Sequence, residues 1–581
     1  CGHFPRLVLF HLSALPIERL KISIKEDIHM KFYRFGNEDK PVIMLLPGTC
    51  CHWKTFSAVI PLLKDTFQVV CVSYDGFDEN EPDAIFPTMT EETEKIESYI
   101  KAKFGGRIFA AYGCSLGGSF VGLLIGREKI HIDHGFIGSS DLDQAGIVGA
   151  RIQSAIVKPV LGKAAHDGKL PEWMTNMMLK KADDPKEAEK TIKTFEKLFA
   201  SISFASEKSI YNQFYSDLVT PLKDNIRVEG TTVHIFYALK MGEKYFDRYN
   251  KHFPDADIVA RDYSHEQLLM SYPEQWAQDI KRCCGLPFDE EKALPESLSY
   301  RRGKKRFFDS HHYEDAVVKG CNFKYLDCGK GDKTIVFLVG GLGTSEAVYP
   351  YVSALEGRYR VITFDYPFEC MDMKSLCEAI IDLLDYLDVD KAVWMGASFG
   401  GYMAQLLASE FPERTEAMCL FSTAALSERT VGALRSKYKN AAPIVLKAME
   451  TVPYSIVRLL EMKQSMGHIE GASAEEAYYM RDMFNDIYSG YTSEFDVHMT
   501  RLVADVINRQ PCTADKFAYL DGRVLLVLPE DDGFFDRDMQ NDLMEMMPSP
   551  MIGRVSGGHA ATLMRVGDYI KYVDEFMEKL D

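Results

Sequence analysis

Two serines stand in the pattern Gly-x-Ser-x-Gly: Gly113-Cys114-Ser115-Leu116-Gly117 and Gly396-Ala397-Ser398-Phe399-Gly400. Each follows an apolar, strand-like run and precedes a helix-like one, 107–112 then 118–124 and 391–395 then 401–407. At a tight strand-to-helix turn the serine Oγ projects from the backbone, and glycines two residues to either side keep strand and helix from colliding. The amides of Leu116 and Phe399 then point at the place where an acyl oxygen would sit. A hydroxyl is a weak nucleophile near neutral pH and needs a base, most often a histidine, to take its proton. Each serine has one downstream: His265 lies 150 residues after Ser115, and His559 lies 161 after Ser398. His52, His131, His134, His311 and His312 lack such a position and receive no role.

These features repeat. The strand-like run 41–46 ends in Pro47-Gly48 and the run 334–339 ends in Gly340-Gly341, an offset of 293 from Gly48 to Gly341. Asp75 and Asp365 close the next strands at an offset of 290, the two serines are 283 apart, and the two histidines 294. Four ordered landmarks at near-constant spacing read as a tandem duplication rather than a short solenoid repeat. Within each copy, apolar runs alternate with helical patterns such as 91–103 and 373–387, which is the rhythm of an α/β fold around a mostly parallel sheet.

The expected organisation is an N-terminal extension over 1–29, a first domain over 30–290, a linker over 291–305 and a second domain over 306–581. Helical insertions at about 147–222 and 428–507 would act as lids. The basic run Arg301, Arg302, Lys304, Lys305 and Arg306 reads as solvated linker.

With 581 residues, 46% of them hydrophobic, the chain is long enough for two cores, and disorder is excluded as its main state. A net charge of −18, from 67 Lys+Arg against 85 Asp+Glu, repels phosphate backbones and argues against nucleic-acid binding. Thirteen cysteines without a C-x-x-C pattern argue against a zinc ribbon or thioredoxin-type site and suggest a reducing, cytoplasmic setting. No apolar run reaches the ~18 residues of a membrane span. Residues 7–16 make a weak signal-like stretch, broken by His11 and Pro16.

At the two serine motifs the sequence resembles the α/β-hydrolase superfamily, over about 30–285 and 305–581. The resemblance implies a triad in the order Ser, Asp or Glu, His. In the second copy the acid falls on Asp532, with Asp531 in reserve, after the strand-like run 523–528. In the first copy it falls on Glu243, with Asp141 open as a helix cap or an alternative acid. A loop after an early strand supplies the second oxyanion amide, at Thr49 and at Leu342, although neither loop has the usual His-Gly. Around 359–408 the second copy is also similar to maspardin-type hydrolases.

The expected activity is that of a serine hydrolase cleaving an ester or related acyl bond of a small substrate, without metal or cofactor. Another reaction hosted by the fold, or a silent copy, stays open.

Overall fold

The computed structural model describes residues 29–142, 144–181 and 185–580, so nearly all of the expected N-terminal extension lies outside the described residues. The described chain packs as two compact units. One consists of 29–109, 127–131 and the described part of 143–221, and the other of 110–126, 132–142 and 222–580.

The strands are β1 (Lys31–Phe35), β2 (Val42–Leu46), β3 (Gln68–Ser73), β4 (Arg107–Cys114), β5 (His131–Gly138), β6 (Thr232–Ala238) and β7 (Asp257–Arg261) in the first half of the chain. The second half has β8 (Glu314–Val318), β9 (Cys321–Cys328), β10 (Thr334–Leu338), β11 (Arg360–Phe364), β12 (Ala392–Ala397), β13 (Thr415–Phe421), β14 (Val524–Pro529) and β15 (Met551–Val555). They make two mixed, mostly parallel sheets flanked by helices.

In the first unit β1 runs antiparallel to β3, with Phe32 opposite Val72, and β2 runs parallel to β3, with Ile43 opposite Val69. In the second unit β5, β6 and β7 are parallel, with Phe136 opposite His234 and His234 opposite Asp257.

The eight-stranded sheet has the order β15-β14-β13-β12-β10-β11-β9-β8. Its strands are parallel from β15 to β11, and β9 returns antiparallel to β11. Helices cover both faces, so Ile335, Val336, Val393, Trp394, Leu525 and Leu526 are fully buried and the strands read as continuous apolar runs instead of alternating ones. The β8–β9 hairpin, turning through Lys319 and Gly320 at positive φ, is absent from the sequence reading.

The expected helical insertions are present. Between β5 and β6 come Ile147–Asp167, Glu172–Lys181, Pro185–Ala200 and Glu207–Val219. Between β13 and β14 the main helices are Glu428–Tyr438, Ala441–Thr451, Tyr454–Ser465, Ala474–Gly490 and Ser493–Ala504.

One expectation is overturned. The basic run is not solvated linker but the helix Tyr300–Phe308, capped by the Ser299 side chain. Arg301 donates through Nε to Asp482 at 2.6 Å and also reaches the Pro254 carbonyl. Arg302 donates to Asp257 at 2.7 Å and to the Ile258 carbonyl, while Lys304 bridges Glu346 and Asp486. Successive basic residues point in different directions around a helix, so Arg301, Arg302 and Lys304 find separate partners while Lys305 stays exposed. This network ties residues 254–258 to the second half within one compact unit.

Asp482 has no exposed side-chain surface, and removing it leaves a largely buried guanidinium without its charge partner. Asp482→Ala is therefore expected to lower unfolding free energy by about 3 kcal/mol. Removing the exposed pair of Arg227 and Asp255 by Arg227→Ala should cost less than about 1 kcal/mol. Urea melts of the two variants check the ordering, and equal effects would contradict it.

Candidate active site

The second-half site begins with backbone conformation. Ser398, between β12 and the helix Phe399–Glu410, has φ +51° and ψ −115°, a region that L-residues seldom occupy. Its amide donates to the Phe421 carbonyl at 3.0 Å and its carbonyl accepts from Thr423 Oγ1 at 2.8 Å, so the end of β13 and the residues just after it hold the turn from both sides. A Cβ on Gly400 would lie 2.0 Å from the Leu338 carbonyl oxygen, and one on Gly396 would lie 2.2 Å from that of Gly400. The glycines are thus required by the closeness of β10, β12 and the helix. Phe399 opens that helix, so its amide has no intrahelical acceptor and faces the same end as the positive pole of the dipole.

The histidine arrives on the loop after β15. His559 Nε2 lies 3.0 Å from Ser398 Oγ, and its Nδ1 lies 3.0 Å from Asp532 Oδ2. The other Asp532 oxygen accepts the amides of Phe534 and Phe535 at 2.8 and 3.0 Å, which fixes the carboxylate in the turn after β14. Rings of Phe534 and Phe535 pack 5.0 and 5.2 Å from the imidazole. The reserve acid, Asp531, does something else: it accepts the amides of Gly557 and Gly558 at 3.0 Å and so holds the histidine loop. Burial acts upward on its carboxyl, but those amides outweigh it and leave the group below the ordinary carboxylate value.

Leu342 lies in the loop after β10, which is anchored from below. Asp365 Oδ1 accepts the Ser345 amide and hydroxyl, both at 2.7 Å, and Tyr366 donates its hydroxyl to the Val339 carbonyl at 2.7 Å and its amide to the Gly343 carbonyl. From the insertion, the Tyr491 hydroxyl donates to the Leu342 carbonyl. The insertion also grips the histidine loop: His468 offers its carbonyl to the Ala560 amide at 3.1 Å, and the Glu470 carboxylate packs against Gly558. Arg565 joins the same region by bonding the Gly471 carbonyl and Glu476.

The first-half elbow has the same local strain. Ser115 has φ +52°, and a Cβ on Gly113 would lie 1.9 Å from the Gly117 carbonyl oxygen. Leu116 opens the helix Leu116–Arg127. The surroundings differ. Glu243 is not brought to His265: its exposed carboxylate pairs with Arg481 on the helix Ala474–Gly490. The expectation rested on chain order, whereas Glu243 stands at the start of the helix Lys244–His252, where its side chain turns toward an available guanidinium. Among the described residues His265 has no hydrogen-bonded carboxylate. Asp141 instead gives its backbone carbonyl to Arg248 at 3.1 Å. Thr49 follows β2 in the other compact unit.

A residue that the sequence did not single out occupies this elbow. Glu266 is buried with φ +57°, and its Oε1 accepts the Ser115 amide at 3.0 Å. Tyr112 and Trp276 pack beside it around a small cavity. Burial pushes its carboxyl up to about 8, against the pull of the Ser115 amide. Adjacency to a proposed histidine was the one available signal, and glutamate after histidine carries no motif. Asp365 likewise appears in the sequence only as a repeat landmark.

With this geometry in view, comparisons with known proteins are informative. Residues 333–561 match the family model described as alpha/beta hydrolase fold. The second half of the chain carries an alpha/beta hydrolase fold. A poly(3-hydroxyalkanoate) depolymerase of Ectopseudomonas oleovorans is 31% identical over 124 residues, 20% of this chain and 44% of that protein. Maspardin of Danio rerio is 43% identical over 75 residues, 13% of this chain and 24% of that one. The chain thus spans less than half the length of these curated relatives. Among solved structures, the enol-lactonase from Burkholderia xenovorans LB400 aligns with 46% of this chain and all of its own, at 16% identity and a TM-score of 0.39.

Glu266 generates a prediction with a definite sign. Its folded-state value of about 8 lies above that of an unfolded glutamate, about 4.3. The stability it contributes is full below pH ~4 and is lost as pH rises toward ~8. Glu266→Gln keeps the acceptor for the Ser115 amide and does not titrate. The variant should gain on the wild type by a few kcal/mol between pH 5 and 9, read by urea denaturation across that range. Parallel stability curves would show that the carboxyl is not held protonated.

Proposed function

We propose that the second half of this hydrolase-fold chain is a serine hydrolase that cleaves an ester or related acyl bond of a small substrate through an acyl-enzyme. The observation that carries this reading is the unbroken chain from Asp532 Oδ2 to His559 Nδ1 and from His559 Nε2 to Ser398 Oγ, with both links 3.0 Å. Asp532 orients the imidazole with its proton on Nδ1, leaving the Nε2 lone pair toward the serine. As Oγ attacks the acyl carbon, its proton passes to Nε2, and the carbonyl π electrons move onto oxygen. The amides of Phe399 and Leu342 would receive that oxyanion. The imidazolium then protonates the leaving alcohol as the acyl–oxygen bond breaks. Water, deprotonated by the same histidine, releases the acid and restores the serine.

A second reading concerns the first half. Its elbow keeps the strained serine but, among the described residues, has no carboxylate hydrogen-bonded to His265, and it has a buried Glu266 under the Ser115 amide. We read this half as not performing the same hydrolysis. The duplication and the two-domain division remain part of the proposal, supported by the matching pairings of β1, β2 and β3 with β9, β10 and β11. So does the reducing, cytoplasmic setting, with which the free thiols of Cys321 and Cys370, 3.8 Å apart, agree.

Two experiments test the proposal. A fluorophosphonate should label Ser398 and leave Ser115 unmodified, with Ser398→Ala abolishing both labelling and hydrolysis of p-nitrophenyl esters. Labelling of Ser115 alone would reverse the assignment of the halves, and no labelling at all would remove the enzyme reading. Within the site, Asp532→Asn should lower turnover by ~10⁴, as in the comparable protease substitution. Asp531→Asn, which weakens only the grip on the histidine loop, should cost about 1.5 kcal/mol of stability and leave most turnover intact. The reverse ordering would exchange their roles.

A further inference from the structure

Away from both elbows, three side chains with metal-ligand chemistry meet at the edge of the eight-stranded sheet. His311 follows the helix Tyr300–Phe308, Cys328 ends β9, and Glu356 follows the helix Tyr349–Leu355. Their candidate donor atoms, His311 Nε2, Cys328 Sγ and a Glu356 carboxylate oxygen, all lie within 4.8 Å of one another. We propose that these three residues form a binding site for Zn²⁺ or a similar divalent transition metal, which would tie the helix before His311 to the β-sheet edge.

The histidine carries much of the weight. Its Nδ1 lies 2.8 Å from the Phe307 carbonyl oxygen, which can only accept, so Nδ1 bears the proton. Its Nε2 then faces Glu356 Oε2 at 2.8 Å, a lone pair against a carboxylate. Such a contact requires either a proton on Nε2 or a cation that binds both atoms once they move about half an ångström further apart. A backbone carbonyl on the far nitrogen is the usual partner of a ligating imidazole and fixes its tautomer. Phe307 also stacks on the ring, with centroids 4.0 Å apart and planes parallel, which removes rotational freedom before any ligand arrives.

The other two donors are equally constrained. A Cβ on Gly329, the residue after Cys328, would lie 2.1 Å from the Tyr359 carbonyl oxygen and 2.4 Å from that of Glu356. The backbone carrying the thiol is therefore pressed against the backbone carrying the carboxylate. In a tetrahedral zinc site, donor atoms lie about 3.5 Å apart, so the cluster needs adjustments of an ångström or so. His311 and Glu356 are each about a quarter exposed, leaving a side through which water could complete four-coordination. An N, S, O donor set suits zinc better than magnesium or calcium.

The surrounding charge agrees. The carboxylates of Glu356, Asp327 and Glu314 stand around the Cys328 thiol. Arg360 answers Asp327 with a bidentate pair, and the remaining negative field favours a cation. As the sulfur–metal bond forms, the thiol proton leaves to solvent and no electron is transferred. The chain contains a useful contrast in His234, Asp257 and Cys283, which also cluster. There Arg302 already donates to Asp257 at 2.7 Å and supplies the positive charge itself.

The test uses the full-length protein, reduced and stripped with EDTA, titrated with Co²⁺ as a spectroscopic stand-in for zinc. One equivalent should produce a thiolate-to-cobalt charge-transfer band in the near ultraviolet. Cys328→Ser should abolish it, and His311→Gln should weaken Co²⁺ binding by at least about tenfold. Cys283→Ser, in the contrasting cluster, should leave it unchanged. Zn²⁺ should raise the melting temperature of the wild type and not of Cys328→Ser. Absence of a band in the wild type, or its survival in Cys328→Ser, overturns the proposal and leaves a protonated His311–Glu356 pair. If Cys328→Ser fails to fold, X-ray absorption at the cobalt edge of the wild type decides, because a shell without sulfur is equally fatal.

Discussion

Everything proposed for the second half depends on one close approach, that of the Ser398 turn to β10. The turn and the strand can sit together only because Gly400 has no side chain to meet the Leu338 carbonyl. This closeness forces Ser398 into positive φ, lifts its hydroxyl off the sheet and starts the next helix with a free amide at Phe399. The strain is small against the burial of the strands around it and is held there by the Phe421 and Thr423 hydrogen bonds. The same geometry recurs at Ser115, but a turn alone does not provide a base, an acid or a water-excluding wall.

What separates the two elbows is the electrostatics of their second ring of contacts. At Ser398 the carboxylate accepts two amides and the imidazole, so its charge is used where a developing imidazolium would lie. At Ser115 the buried Glu266 carboxyl sits beneath the serine amide, and burial favours its protonated form. A protonated acid in that place contributes no field to a histidine. The contrast between the halves is therefore one of where a negative charge is permitted, rather than of fold.

Local features were legible in the sequence. Glycines flanking the serines, apolar strand runs and the landmark spacing all act over a few residues or through a repeated order, and they lead directly to the two elbows, the α/β sheets and both helical insertions. Asp532 and His559 could be named because the resemblance to α/β-hydrolases supplies the order Ser, acid, His and the spacing from Ser398 narrows the choice. Long-range pairings were not legible. Nothing in the neighbourhood of Glu243 announces Arg481, more than two hundred residues away, and nothing in Arg301 or Arg302 announces Asp482 or Asp257. A basic cluster looks solvated until the folded chain brings carboxylates to it. Glu266 was missed for the same reason, since its burial is a property of the packing around Tyr112 and Trp276.

The helix Tyr300–Phe308 has a consequence for how this sequence can vary over time. Residues midway along a chain are commonly free to drift, but here Arg301 and Asp482 form a pair in which the carboxylate has no access to water. A change at either position alone strands a charge in the interior, while a joint change to two apolar residues need not be harmful. Position 301 and position 482 are thus bound to change together, and lineages that alter one should carry the matching alteration 181 residues downstream.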